Sequence, residues 1–276
     1  MKALVIDITK CNGCHNCQIA CKDEHVANDW SPYAKPQPDT GQFWTKVTDI
    51  VRGTVPKVKV TYQHDICQHC DDAPCVAQRE RQAIYKRDDG IVIIDPDQCR
   101  GRRNCVDACP YGDIYFNSDL NIAQKCTMCA HILDGEGGSE VPKVPRCVDI
   151  CPTGTRTFGE EEDLKDLIDQ AEILKPETNA KPRVYYIGLP KRFVAGAVYD
   201  PEEDECLEGA TVTLTGEHGN KSTVETDYFG DFWLKDLELG TYSLFIEKDG
   251  YHSQEIRDIN TEKDINVGDI KLYLKT

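Results

Sequence analysis

Positive charge is scarce in this 276-residue chain: 32 Lys and Arg stand against 48 Asp and Glu, a formal net charge of −16. That sign is wrong for the basic stripe with which proteins meet a phosphate backbone, so nucleic acid is excluded as a partner. Long apolar runs are also missing. Mean hydropathy is −0.52, and no stretch approaches the ~20 apolar residues of a spanning helix, which excludes an integral membrane protein. The opening MKALVIDITKC has no signal-peptide h-region and no twin-arginine stretch, so a cytoplasmic chain is expected. Nor is there a nucleotide-binding glycine loop, a nucleophile elbow or a convincing acid–base pair. No catalytic residue is assigned, and the chain is expected to carry electrons or support a site on another subunit.

Cysteine, by contrast, is abundant. Of the 15 cysteines, 14 lie between Cys11 and Cys151, leaving only Cys206 for the rest, so the chain has two compositional halves. The odd total and the absence of an export signal count against disulfides. Zinc competes better, because C-x-x-C pairs serve as zinc knuckles as readily as cluster loops.

Spacing decides between the metals. Cys11, Cys14, Cys17 and Cys21 form C-x2-C-x2-C-x3-C, the run that holds cubanes in bacterial-type ferredoxins. Three of its cysteines wrap one cubane while the fourth points to a different one, a geometry of no use to a tetrahedral zinc. Three more groups follow: Cys67, Cys70 and Cys75; Cys99, Cys105 and Cys109; and Cys126, Cys129, Cys147 and Cys151. The second has Arg79 where its fourth ligand is expected, and the third has Arg102 where its second cysteine belongs.

If each group gives three cysteines to its own cluster and its last to a partner group, three pairings are possible. Two of them put the arginines into different clusters, whereas the nested pairing puts both into one. It yields three complete sites: Cys11, Cys14, Cys17 and Cys151; Cys21, Cys126, Cys129 and Cys147; and Cys67, Cys70, Cys75 and Cys109. The fourth combines Arg79, Cys99, Arg102 and Cys105 and should hold no cluster. Losing a cluster removes the need for all its ligands together, which favours this scheme. The two guanidinium groups are expected to fill the vacated space and to pair with acids such as Glu80. His15, His69 and His131 lie among the cysteine groups, but twelve cysteines already satisfy three cubanes, so hydrogen bonding near cluster sulfur is expected of them rather than ligation.

Residues 3–8 read as a strand and 17–25 as a short helix. Residues 83–94 read as a hairpin around Asp89-Gly90, and 113–125 as a second. Residues 160–175 read as a helix with Leu164, Leu167, Ile168 and Ala171 on one face. Three prolines between 175 and 192 suggest an extended linker. From Phe193 onward, apolar and polar residues alternate between closely spaced turn signals, the pattern of a β-sandwich, which is expected to fold without iron. Cys206 reads as a free thiol. The expected fold class is α+β: a doubled bacterial-ferredoxin-like cluster domain (1–175), an extended linker (176–192) and an all-β transthyretin-like or immunoglobulin-like sandwich (193–276).

The four-group layout over residues 1 to about 175 resembles the iron–sulfur subunits of the dimethyl sulfoxide reductase family. Residues 193–276, with G-x-V-x-D at 196–200, GATVTLTG, TDYFGDFWL and LGTYSLFIEKDGY, resemble a transthyretin-like or carboxypeptidase regulatory-like sandwich. Together with CTMCAHILD, VPRC and KPRVYY, they make the chain similar along its whole length to the transhydroxylase branch of that family. The resemblance implies a heterodimer holding three 4Fe-4S clusters here and molybdenum or tungsten bis-pyranopterin guanine dinucleotide in a large catalytic subunit. It further implies transfer of a hydroxyl group between polyhydroxylated benzenes without net oxidation. In the family the clusters form a line away from the metal, and the nested pairing puts the missing one third. The alternative is an electron-transfer subunit of a related phenol hydroxylase or dehydroxylase with an external electron partner.

Overall fold

The computed structural model describes residues 1–78, 83–99, 101–135, 143–217 and 219–275. The chain divides into two compact units: Met1–Asp49 with Tyr62–Leu189, and Ile50–Thr61 with Pro190–Thr276.

The first unit is built on β1 (Lys2–Asp7), whose four central residues are buried on both faces, as expected of a middle strand. Helix α1 (Asn16–Val26) follows the first cysteine loop. It buries Cys17, Cys21 and His25, which at four-residue intervals share one helix face. A long hairpin comes next, β2 (Thr45–Thr54) and β3 (Lys57–Ile66). After α2 (Pro74–Ala77) comes the short hairpin β4 (Ile84–Lys86) and β5 (Val92–Ile94); after α3 (Asn104–Ala108) comes its counterpart β6 (Tyr115–Asn117) and β7 (Ile122–Gln124). Both hairpins fall where turn chemistry places them. Gly90 takes φ +93°, and Asp89 Oδ1 accepts the Ile91 N–H. In the other turn, Asn117 Oδ1 accepts the N–H groups of Asp119 and Leu120. Helices α4 (Ala130–Leu133) and α5 (Arg146–Asp149) carry the last cysteine group.

Two expectations fail in the segment that follows. The helix read over 160–175 shrinks to α6 (Lys165–Ile168): Glu160 ends β8 (Arg156–Glu160), paired antiparallel with β1, residues 161–164 form turns, and Glu172 bridges to Tyr186. Glu160 ends that strand in ion pairs with the N-terminal ammonium at 2.9 Å and Lys2 at 2.7 Å. The apolar stripe is nevertheless used, since Leu164, Leu167 and Ile168 pack on Ala3 and Val5. Nor is 176–192 simply an extended linker. Val184–Ile187 forms β9, parallel to β1, with Val184 and Tyr186 buried. Strand pairing overrides the proline signal here because β1 has a second edge whose backbone groups need partners.

The second unit holds β10 (Arg192–Asp200), β11 (Glu205–Cys206), β12 (Thr211–Gly216), β13 (Lys221–Glu225), β14 (Asp231–Leu237), β15 (Thr241–Glu247), β16 (Gln254–Asn260) and β17 (Ile265–Lys271). One sheet runs β11-β10-β14 with β17 also on β10, and the other runs β13-β12-β15-β16. Alternate residues such as Val212, Leu214, Phe232, Leu234, Leu244 and Ile246 fill a common core. The tip of the β2–β3 hairpin counts with this unit. Arg52 makes a fork on Asp264 at 2.7–2.8 Å with both side chains largely buried, and Lys57 pairs with Asp231. Gly53, at φ +81°, has no room for a Cβ, which would lie 2.3 Å from the Lys57 carbonyl oxygen. Cys206 is exposed.

Asp264→Ala, by stranding the buried Arg52 charge, should destabilise this unit by about 3–5 kcal/mol in denaturant unfolding; a loss below about 1 kcal/mol would mean that the pair is effectively solvated. A fragment from about Leu189 to Thr276 should melt without iron, but lower than the same unit supplied with the hairpin. Equal melting points would show that the hairpin contributes nothing.

Candidate metal centres

Cys11, Cys14, Cys17 and Cys151 line one cavity that opens to solvent, together with His64 and Arg156. The loop around it depends on left-handed backbone at Gly13 (φ 70°) and His15 (φ 59°). Gly13 is obligatory, since a Cβ there would come within 2.2 Å of the Tyr62 ring. Burial raises the Cys11 and Cys17 thiols above the usual range. Cys151 goes the other way: burial is outweighed by the Thr153 hydroxyl and by the N–H groups of Thr153, Thr155 and Arg156, which favour its thiolate.

Cys21, Cys126, Cys129 and Cys147 are all buried. Burial first, then neighbouring sulfurs, pushes Cys21 up to about 12 and Cys126 and Cys129 well above 9.0; Cys21 and Cys147 act on both of the latter. Met128 and Cys129 are consecutive left-handed residues, and the Met128 N–H donates to Cys126 Sγ at 3.3 Å. Such turns aim backbone N–H groups inward and form the nests in which anionic clusters sit. Nearby, His25 places Nε2 3.9 Å from Cys129 Sγ, and burial holds its pKa down at about 3, so its ring is neutral.

Cys67, Cys70, Cys75 and Cys109 form the third group. Burial takes Cys67 to about 11, and burial with Cys67, Cys75 and Cys109 takes Cys70 to about 12. His69, left-handed at φ 45°, gives its N–H to the Cys67 sulfur. Its Nδ1 accepts from the Val92 N–H at 3.0 Å. Lys125 is buried, donating to the Val92 and Cys126 carbonyl oxygens, and its charge acts on Cys67 and Cys75.

Cys99 and Cys105 stand beside each other, with burial and then Cys99 raising Cys105 to about 11. Cys99 Sγ accepts the Ala123 N–H at 3.3 Å, and apolar side chains including Val76, Ala83 and Val106 pack with the pair. Arg79 and Glu80, the expected occupant and its partner, lie outside the described residues. Arg102 is exposed, so it does not fill buried space as expected. Of the three histidines singled out, His131 is buried against Glu24 at 2.9 Å and stacks on Trp30, His69 binds backbone, and His15 is half-exposed 3.5 Å from Asp49.

Do these residues fit cubanes? Around a single zinc ion, thiolate sulfurs at about 2.3 Å from the metal converge to within about 4 Å of one another. Among the described residues no group of three or more Cys, His, Asp or Glu converges in this way on one ion. Grouped sulfurs, with left-handed loops and N–H groups turned onto sulfur, fit clusters instead. Reading by cysteine spacing missed Arg156, His64, His25 and Lys125. Two of them had a usable signal, as Lys125 directly precedes Cys126 and Arg156 follows Cys151 by five residues.

Comparisons with known proteins agree. A 4Fe-4S dicluster domain model matches residues 58–161, and a carboxypeptidase regulatory-like domain model matches residues 194–273. The pyrogallol hydroxytransferase small subunit of Pelobacter acidigallici is 39% identical over 98% of both chains. The chain belongs to the iron–sulfur subunits of the dimethyl sulfoxide reductase family. Two other members are the arsenate respiratory reductase iron–sulfur subunit of a Shewanella species, 32% identical over 67% of this chain and 94% of that one, and the beta subunit of selenate reductase from Thauera selenatis, 28% identical over 67% and 76%. Like them, this member is an iron–sulfur protein, and its fold is α+β. Among its described residues no helix is long and apolar enough to cross a membrane.

On the nested assignment, Cys75→Ala should lower bound iron by roughly one to four atoms per chain, because it strips one cubane of a ligand, while Cys99→Ala should leave iron unchanged. Equal losses in the two variants would contradict the assignment.

Proposed function

We propose that this chain is the non-catalytic iron–sulfur subunit of a cytoplasmic molybdopterin enzyme that moves hydroxyl groups between polyhydroxylated benzenes, of the pyrogallol-to-phloroglucinol type. Met1–Asp49 with Tyr62–Leu189 carry a doubled ferredoxin-like domain, and Ile50–Thr61 with Pro190–Thr276 a transthyretin-like sandwich. The chain holds three 4Fe-4S clusters, on Cys11, Cys14, Cys17 and Cys151; on Cys21, Cys126, Cys129 and Cys147; and on Cys67, Cys70, Cys75 and Cys109. A large partner subunit carries molybdenum or tungsten on bis-pyranopterin guanine dinucleotide, and with it the chemistry. The observation that carries this reading is end-to-end similarity to a hydroxytransferase small subunit, sandwich included. The concentration of both missing ligands in one site supports it.

In this complex the clusters supply one-electron redox capacity. The chain's own residues exclude water from the sulfurs, direct N–H groups onto them and offset their charge with Lys125 and Arg156. A hydroxyl transfer balances its electrons between substrate and cosubstrate, so it has no need of an unbroken cluster line to an external partner.

One observation favours the second reading, an electron-transfer subunit of a related phenol hydroxylase or dehydroxylase. Cys67 of the third group and Cys126 of the second belong to the same buried core, and the Cys67 charge acts on Cys126. A shortcut around the lost site is therefore built into the packing.

The two readings differ in electron demand. Purified complex given a trihydroxybenzene and a catalytic amount of tetrahydroxybenzene, without dye, should convert isomers. Product formed only in proportion to an added electron acceptor would refute the transhydroxylase and establish the second reading.

A further inference from the structure

Arg156 begins β8, opposite Ile6 of β1, and its side chain is buried in the cavity of the first cysteine group. Its Nη2 donates to Thr45 Oγ1 and to His64 Nδ1, each at 2.9 Å. His64 is buried and neutral, its pKa held at about 3 by burial and then by the Arg156 charge. With Nδ1 accepting, the ring proton sits on Nε2. Three buried donors, Arg156 Nε, Arg156 Nη1 and His64 Nε2, then have no nitrogen or oxygen acceptor, and the Cys147 sulfur is the group the guanidinium reaches instead. Among the described residues no carboxylate pairs with Arg156. A guanidinium withdrawn from water with neither counter-charge nor full hydrogen bonding is a large destabilisation. Something anionic must complete the site.

The sulfurs around Arg156 say what it is. Burial alone would lower the Arg156 pKa, but Cys147 and Cys17 outweigh it and raise it. In turn, Arg156 acts on Cys11, Cys17 and Cys21. Cys11 and Cys17 belong to the first group, Cys21 and Cys147 to the second. A cubane on four thiolates is a net anion in either oxidation state, and its sulfides accept hydrogen bonds. We propose that Arg156 is a counter-charge shared by the first and second clusters, with His64 as the positioning residue that holds its guanidinium between them. The inference rests on the cluster assignment above and adds a role for this pair. A fixed positive charge favours the more negative, reduced form of each cluster, so Arg156 holds both potentials up. The third cluster has its own buried cation in Lys125.

The test is a redox titration of the intact complex followed by electron paramagnetic resonance, in Arg156→Gln and Arg156→Lys. Iron and sulfide analysis of the unaltered complex checks the assignment separately, since a count other than three clusters would fail that reading and not this one. In Arg156→Gln, two of the three potentials should fall and the third stay in place; in Arg156→Lys, the two should remain nearer their original values. No shift in Arg156→Gln, or an equal shift of all three, overturns the proposal. If Arg156→Gln assembles no first or second cluster, Arg156→Lys decides. Assembly with near-original potentials upholds the shared charge, and failure to assemble, or potentials lowered equally for all three clusters, overturns it.

Discussion

Crowding many sulfurs out of water is the constraint on which the first unit depends. Buried thiols such as Cys21, Cys70 and Cys126 resist ionisation through desolvation, and neighbouring sulfurs add repulsion. Cluster ligation needs thiolates, so the fold must return what burial removes. It does so with left-handed turns that present N–H groups to sulfur, and with buried Lys125 and Arg156. Little regular structure is left over. The helices around the cysteine groups run only four or five residues after α1, because the loops, not the helices, set the ligand positions.

What the sequence made legible follows from how local each signal is. Cysteine spacing is nearly a covalent constraint, because it acts within a single loop. The Asp89-Gly90 and Asn117 turns act within four residues and were equally readable. The failures are all long-range. Residues 160–175 have helical periodicity, but Glu160 is held in β8 by Lys2 of β1 and Glu172 is bridged to Tyr186. Val184–Ile187 follows Pro176 and Pro182 and precedes Pro190, yet completes the same sheet. The hairpin of Thr45–Ile66 went unread because it buries little by alternation and owes its anchoring to single ion pairs such as Arg52 with Asp264. Arg156 and His64 were invisible for the same reason: nothing in the sequence says that positions 45, 64 and 156 meet.

On the proposed assignment the fourth group holds no cluster. Cys99 keeps a backbone hydrogen bond to its sulfur, Cys105 keeps its place beside it, and apolar side chains close around both. Meanwhile the second and third groups share a wall through Cys67 and Cys126. Whether that wall conducts is a question about function that packing alone poses and turnover must answer.

The central claim is that three cysteine groups are filled and the fourth is not. The most direct measurement is the mass of the anaerobically purified chain under native conditions, released from its complex with its cofactors intact. The account requires the polypeptide plus three cubanes, with Cys99 and Cys105 recovered as free thiols. A mass carrying four cubanes, or one explained by zinc ions, would contradict it.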